Sequence, residues 1–479
     1  MINRTAPSLR NDAPRRLLDG FGRAITVPCR YEKPSCLAEL ADLLAQAKRE
    51  GLTVTFRGNG QSYGDAALNT RGIVIDVSGL NRIVRWDPST GLLEAEAGVT
   101  IEQLWQHVIA DGYWPVVVPG TMHATLGGCI AMNVHGKNNS RHGPFGDHVQ
   151  SFELLTASGE LLTCSREERP ELFFATIGGL GLLGAVVRLT LKLRRVYSGR
   201  LRVFATTARN LDESLERFES LLPKHDYVVG WVDAFARGSN LGRSEIHAAS
   251  HLTPLEDPKG AASLNVAAQS LPTTLWGLPR AEVWRFMRPF ANRPGMTLVN
   301  AVKFNLARIV RERTYLQSHA AFAFLLDYIP DWRLAYGDGG FIQHQLFVPY
   351  HCANRCIKQV LLTCQKAEII PYLAVLKRHR PDPFLLSHAL DGWSLALDFR
   401  ITESTRTAVW DVTKRLTAQV LDVNGKFYFA KDAVLTPEDV ERAYGHDRVK
   451  QFLVLKRDID PTGLFGSDLS ERVFATQTR

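Results

Sequence analysis

The sequence predicts an α+β fold in two domains, and three observations support that prediction. The 479-residue chain exceeds what one ordinary core supports, so two domains are the default expectation. Up to residue 196 the elements run helix, strand, strand, hairpin, helix, hairpin, without the repeated strand–helix alternation of a doubly wound sheet. From 197 mixed strands and helices replace that order, and near 425 strand-like character returns. The units so predicted are 15–196, an inserted α/β unit 197–424, and a tail 425–479 that completes the first.

After a polar lead-in, Ser35 is the expected cap of a helix whose apolar face is Leu37, Leu40, Ala41, Leu44 and Ala47, with Gly51 as its stop. LTVTF (52–56) predicts a strand leading into RGNGQSYGDAALN (57–69), and GIVIDV (72–77) predicts the next. RIVRW and LLEAEA flank DPSTG as a hairpin. Thr100 and Gln103 form a capping box for a helix with the buried stripe Ile101, Leu104, Trp105, Val108 and Ile109, stopped by Gly112. SFELLTASGELLTC is a second hairpin, and AVVRLTLKLRRV closes this region. Between about 250 and 300 the pattern is irregular, and a stretch of that length inside a compact domain is usually functional or mobile. In the tail GKFYFAKD predicts a strand, and SDLSERV comes near the end.

Composition narrows the function classes. A hydrophobic content of 45% with 22% charged residues is that of a soluble globular protein. The formal net charge of +8 favours anionic partners, such as phosphorylated substrates or an acidic membrane face. No Lys/Arg block or zinc pattern supports nucleic-acid binding, and no metal site is expected. The seven cysteines are scattered; Cys352 and Cys356 fit one helical turn, but no second pair completes a zinc site. A reducing, cytoplasmic location is the expectation, since no apolar run resembles a signal peptide or reaches spanning length.

Two Gly-rich turns carry the chemistry. RGNGQSYGDAALN and PGTMHATLGGCIAMNVHGKN (119–138) each adjoin a strand-like run, and glycine lets backbone N–H groups approach an anion closely. Gly58 and Gly60 permit the first turn, while Asn59, Gln61 and Ser62 add donors for a diphosphate; Gly120, Gly127 and Gly128 supply the second. Two other matches are rejected. Gly179, Gly181 and Gly184 spell GxGxxG but follow a helical run, open a strand and lack the acidic ribose partner. Gly60, Ser62 and Gly64 spell GxSxG but lead into a turn and another strand, not a helix. His135 follows an apolar run at the rim of a polar turn; Lys431 ends the aromatic run FYFA, where burial lowers a lysine toward neutrality, the alternative being a strand-end ion pair with Asp432. Gln343 and Gln345 share a strand face that suits sugar hydroxyls.

The paired loops resemble the FAD-binding domain of the vanillyl-alcohol-oxidase superfamily. SYGD, PGT, GG, HGKN, FGDHV, ELFFATIGGLGLLG, AYGDGGFIQHQ, GWSLALDF, AKD and DPTGLFGSDL together resemble, in order and over roughly residues 20 to 475, the decaprenylphosphoryl-β-D-ribose 2′-oxidase family. That resemblance implies a two-domain FAD-binding PCMH-type fold and oxidation of a sugar secondary alcohol to a ketone, with the hydride passing to flavin. It implies that Arg57, Gly58, Asn59, Gly60, Gln61, Ser62, Tyr63, Gly120, Thr125, Leu126, Gly127, Gly128, Met132, Asn133, Val134, His135, Val186 and Tyr428 line the FAD. Tyr63, His135, Lys137, Gln343, Gln345, Lys377, Ser394 and Lys431 would face the substrate, with Lys431 as base and His135 and Tyr63 positioning the sugar.

Several positions depart from the family pattern. Ala396 stands where relatives carry a reactive cysteine, and Ser394 where they carry an asparagine. AFAFLLDY puts Ala323 or Phe324 at a substrate-side tyrosine position. Gln61 stands where some superfamily members tether FAD through histidine, so the flavin is expected to be non-covalent. The resemblance further implies a polyprenyl-phosphoryl-β-D-ribose substrate, oxidised as the first half of epimerisation to arabinose, and a short-chain reductase partner. A soluble alditol or aldonolactone oxidase, or a flavin-binding scaffold in a glycolipid-assembly complex, are the alternatives. The segment from Leu271 to Arg293 interleaves Trp276, Leu278, Trp284, Phe286 and Phe290 with Arg280, Arg285, Arg288 and Arg293. That mixture suits either a partly buried surface loop or peripheral contact with the inner membrane.

Overall fold

The computed structural model describes residues 15–275, 277–310 and 312–474. Trp276 and the sequence before residue 15 lie outside them. Three sheets make the frame. The first is four-stranded, in the order Arg16–Asp19, Thr26–Glu32, Ile73–Asp76, Val54–Arg57. Its last three strands are parallel, so the Leu37–Arg49 helix is a single strand–helix–strand crossover. The strand Thr26–Glu32 falls inside the lead-in, where Pro28 and alternating exposure mask the strand pattern.

The second sheet is antiparallel, in the order Ile83–Asp87, Leu92–Glu96, Ala185–Lys192, Val149–Leu155, Leu161–Ser165, so both expected hairpins form. The capping box at Thr100 and Gln103 is present, and every residue of the predicted stripe behind it is buried. One cap differs from expectation. Cys36, not Ser35, precedes the first helix and supplies no side-chain bond; instead Glu39 reaches back to the Ser35 N–H (2.7 Å) and hydroxyl (2.9 Å). The carboxylate anchors the residue before the helix, and the cap position supplies no side-chain acceptor to the first-turn N–H groups.

The third sheet has eight antiparallel strands, in the order Arg313–Ser318, Arg200–Ala208, Ser244–His251, Tyr227–Val232, Leu373–His379, Gly392–Arg400, Phe341–Pro349, Lys426–Phe427. The helices Leu211–Leu221, Ala353–Lys366 and Arg406–Leu421 pack on it with Phe218, Val360 and Leu416 in the core. The irregular stretch resolves into short turns to Gln269 and a two-residue ribbon. A short helix Val283–Met287 follows, then an 18-residue helix, Arg293–Val310, referred to below as the surface helix.

The tail departs from its predicted strand. Only Lys426–Phe427 pairs with the edge strand; Phe429–Lys431 then coils into a 3₁₀ turn closed by Lys431 N–H to the Tyr428 carbonyl (2.9 Å). SDLSERV falls almost wholly within a helix, Asp468–Phe474. The tail also reaches the first sheet, where Val54 N–H donates to the Leu464 carbonyl (2.6 Å). Arg472 clamps both regions, meeting Asp65 at 2.8 Å and Asp432 at 2.9 Å. Asp432 therefore belongs to Arg472, not to Lys431.

Candidate active site

A cavity of about 520 Å³ runs between the Gly-rich turns and the face of the eight-stranded sheet. Its cofactor-side wall begins where Val54–Arg57 ends. Gly60 has φ +64°, and a Cβ there would meet the Arg57 guanidinium at 2.1 Å, so the turn requires glycine. A Cβ on Gly58 would strike the Thr125 hydroxyl at 2.2 Å, which lets the two loops close on each other. Thr125 caps the short helix Leu126–Ala131 by accepting from the Gly128 N–H. Gly58, Asn59, Gly60, Gln61, Ser62 and Tyr63 line this wall with Gly120, Thr125, Gly127, Gly128, Met132, Val134, Val186 and Tyr428.

Three sequence-predicted wall residues stand behind it instead. The Arg57 guanidinium turns away to the carbonyls of Asp19 (3.0 Å) and Ala67 (3.3 Å). Leu126 is fully buried in the core under the loop. Asn133 adopts φ +42° and spends its amide on Asp382 and Gly146 N–H, shaping the bend that delivers His135. GxGxxG does follow the helix Pro170–Thr176 and open the strand Ala185–Lys192, the context that removes it as a dinucleotide fingerprint.

The opposite wall is a matter of register. Gln343, Asp398 and Leu373 sit side by side on three neighbouring strands, as do Gln345, Ala396 and Val375, and then Phe347, Ser394 and Lys377. The period of two sends all nine side chains to one face. Gln343, Gln345, Lys377 and Ala396 line the cavity. Ser394 does not; it is buried beneath, bonded to His379 (2.7 Å) and lying 3.4 Å from Gln345. At the other substrate-side departure, Ala323 and Phe324 are buried in the core, and Phe322 lines the cavity in their place.

Three lysines converge here. Lys431 stands over the Tyr63 ring with Nζ 3.3 Å from its centroid. Burial lowers its ammonium well below the usual lysine range, opposed by the charge of Asp398. Burial lowers Lys377 to about 8, and burial with the Lys377 charge lowers Lys137 to about 7. Lys137 donates to the Phe322 and Ala323 carbonyls. Asp398 is raised by burial, accepts from Gln343, and has its second oxygen buried without a partner. The Gln345 amide lies 2.9 Å from His135 Nε2, while Nδ1 is buried and unpartnered. Burial holds His135 neutral, with His379 and His388 packed 5.0 and 5.3 Å from its ring.

Sequence reasoning missed Asp398, His379 and His388, although Asp398 is two residues from Ala396 on a strand already singled out. It also missed the far end of the cavity. There Trp231, Glu245, His247 and Lys303 line the wall, with Glu245 3.1 Å from both His247 and Lys303. The alternation of Glu245 and His247 along Ser244–His251 was the available signal.

The cavity combines a glycine cradle closed to side chains, an orphaned imidazole nitrogen and cationic groups opposite, and these fit an FAD. Residues 28–165 match the model of an FAD binding domain. The chain is 32% identical over 464 residues to the decaprenylphosphoryl-beta-D-ribose oxidase of Mycolicibacterium smegmatis, covering 96% of this chain and 97% of that protein. It is 22% identical over 481 residues to a putative D-arabinono-1,4-lactone oxidase of Neurospora crassa, covering 93% and 83%. Bovine (Bos taurus) L-gulonolactone oxidase is 29% identical over 200 residues, 42% of this chain and 44% of that one. FAD is the cofactor this cavity is built to hold, and the chain is an FAD-dependent oxidoreductase belonging to the decaprenylphosphoryl-β-D-ribose oxidase family.

Proposed function

We propose that this enzyme oxidises the 2′-hydroxyl of a polyprenyl-phosphoryl-β-D-ribose to a ketone, as the first half of epimerisation to arabinose. The observation that carries the reading is the meeting of Lys431, Lys377 and Lys137 with Tyr63, His135, Gln343 and Gln345 at one end of the cavity. Bound FAD supplies the acceptor for the carbinol hydride. Lys431, whose ammonium burial lowers toward neutrality, takes the hydroxyl proton at Nζ in its unprotonated form, while the carbinol carbon becomes the ketone. Tyr63 and His135 position the sugar, and Gln343 and Gln345 bind its other hydroxyls. Lys377, which burial lowers only to about 8, offers positive charge to the phosphate, which a neutral lactone would leave uncompensated, and Lys137 borders the substrate.

The same reading divides the chain into a cofactor unit, 15–196 with 425–479, and a substrate unit, 197–424. Contacts of the tail with Val54 and of Arg472 with Asp65 support counting 425–479 with the first unit. It includes a short-chain reductase as partner, because the ketone needs a reductant to become the epimer, and a peripheral place at the membrane. Gln61 lines the cavity with its amide donated to the Asn59 carbonyl (3.0 Å), and an amide cannot tether flavin, so acid precipitation is expected to release FAD.

The test is anaerobic bleaching of the flavin. Prenyl-phosphoryl ribose is expected to reduce it much faster than ribose, alditols or aldonolactones. Equal rates with a free polyol or lactone would replace this reading with the soluble-oxidase alternative, which the Neurospora likeness favours. Bleaching by none of them would favour a scaffold without turnover.

A further inference from the structure

Among the described residues, exposed large apolar side chains cluster most densely on and just before the surface helix. On the surface helix Leu298, Val299, Val302, Leu306, Ile309 and Val310 are all exposed, Ile309 by 72% and Leu306 by 58%. Their spacing places them on a single stripe, while Asn300 and Phe304 on the other side are buried. Phe286 and Phe290, on the turns just before, are exposed as well. A contiguous apolar surface of this kind marks an interaction site, not an ordinary surface.

Charge identifies its occupant. Residues 280–313 hold eight Lys/Arg and two Asp/Glu, a net of +6 within a chain whose total is +8. Arg288, Arg293 and Lys303 meet Asp338, Glu368 and Glu245 from outside the segment, and the remaining basic residues still outnumber its own acids. The helix itself, RPGMTLVNAVKFNLARIV, contains no acid. An apolar stripe edged by arginines and aromatic rings is the composition of a helix lying in a lipid interface. Among the described residues no helix is long and apolar enough to cross a membrane, so lying on the surface is the geometry open to it.

The inner edge of this helix belongs to the cavity. Lys303 reaches from it to Glu245 (3.1 Å) and stands 3.7 Å from the Trp231 ring centroid, and all three residues line the far end of the cavity. Leu325, more than half exposed, lines the cavity as well. The helix that carries the apolar stripe therefore also borders the cavity.

We propose that the helix Arg293–Val310, with the aromatic–arginine turns before it, seats the enzyme on an anionic lipid surface and sets the cavity mouth against that surface. A lipid-linked sugar then enters from the bilayer without its prenyl chain crossing water; that clause rests on the substrate reading above. The centre of contact is this helix, with the turns and short helix of residues 280–290 as its flank.

The experiment uses the FAD-loaded full chain and vesicles of phosphatidylcholine with or without phosphatidylglycerol. Co-sedimentation is expected with the anionic vesicles and is expected to fall as salt rises. A Val302→Asp/Leu306→Asp double variant should weaken that binding at least about tenfold. Neither residue lines the cavity, so FAD content and turnover of a water-soluble short-chain prenyl-phosphoryl ribose should match the parent. Absence of vesicle binding, or equal binding by the variant, overturns the seat. A concentration-dependent dimer abolished by the same substitutions would also overturn it, because a second copy would then cover the stripe. Vesicle binding without turnover of any prenyl-phosphoryl sugar supports the seat and overturns the substrate reading alone.

Discussion

The two ends of the cavity use lysine for different purposes. At the inner end Lys431 rests on the Tyr63 ring, and Lys137 donates to two carbonyls, so burial dominates and both ammonium groups are lowered toward neutral pH. At the outer end burial lowers Lys303 as well, but it remains 44% exposed and the Glu245 carboxylate at 3.1 Å opposes the shift by favouring its charged form. A lysine without its charge can take a proton; a lysine that keeps its charge can only attract. Surroundings, not residue type, separate chemistry from recognition here.

The largest expected effect is at the inner end. Lys431→Ala should retain FAD yet slow flavin reduction by at least about 10²-fold, the scale of losing a general base. Stopped-flow bleaching under anaerobic conditions measures it, and a parental rate would remove this lysine from the mechanism. His135→Ala should cost less, about tenfold in reduction through lost positioning, with weaker flavin retention because the imidazole lines the cofactor wall. If the variant bound FAD normally and reduced it at full rate, His135 would be a packing residue only.

The coupling of Lys431 to Asp398 can be tested by pH. A base must be unprotonated, so flavin reduction should rise with pH through the depressed value of Lys431 and level off above it. Asp398 raises that value by its charge; Asp398→Asn should therefore move the acid limb to lower pH. A limb that stayed in place would mean that Asp398 is already protonated where Lys431 titrates. The same lysines affect stability. Their folded values lie below the unfolded one, so the unfolded chain binds more protons between the two, and their contribution to stability should climb as pH rises from about 7 toward 10. The difference in melting temperature between parent and Lys377→Met across that range should shrink on the alkaline side, and a constant difference would count against a charge effect.

How far the sequence disclosed these two ends follows from their physics. The cofactor wall was legible because glycines, a capping threonine and a short apolar helix act locally, within a few residues of one another. Gln343 and Gln345 were legible because strand alternation is also local. Asp398, His379 and the outer cluster were not, since only the pairing of distant strands brings them to the cavity. The tail misled for a related reason: FYFA has strand composition, but one edge position in the sheet pairs just two residues before Tyr428 turns. Arg57, Leu126 and Asn133 were drawn in by adjacency to loop residues that do face the cavity, although their own side chains support the loop from behind.

The smallest expected effect sharpens the contrast most. Lys303→Ala removes an ammonium that is half in solvent and paired with Glu245, and such pairs contribute little in isolation. With a water-soluble short-chain substrate, flavin reduction at saturation should change by less than about threefold, because no group at the inner end loses a partner. With substrate presented in anionic vesicles, the apparent KM should rise instead, since Glu245 would then keep only His247 beside it at the mouth through which an anion must pass. A large loss in the reduction step itself would place Lys303 among the reacting groups and abolish the distinction between the two ends. An unchanged KM on vesicles would leave the inner distinction intact and show that the outer cluster does not govern entry.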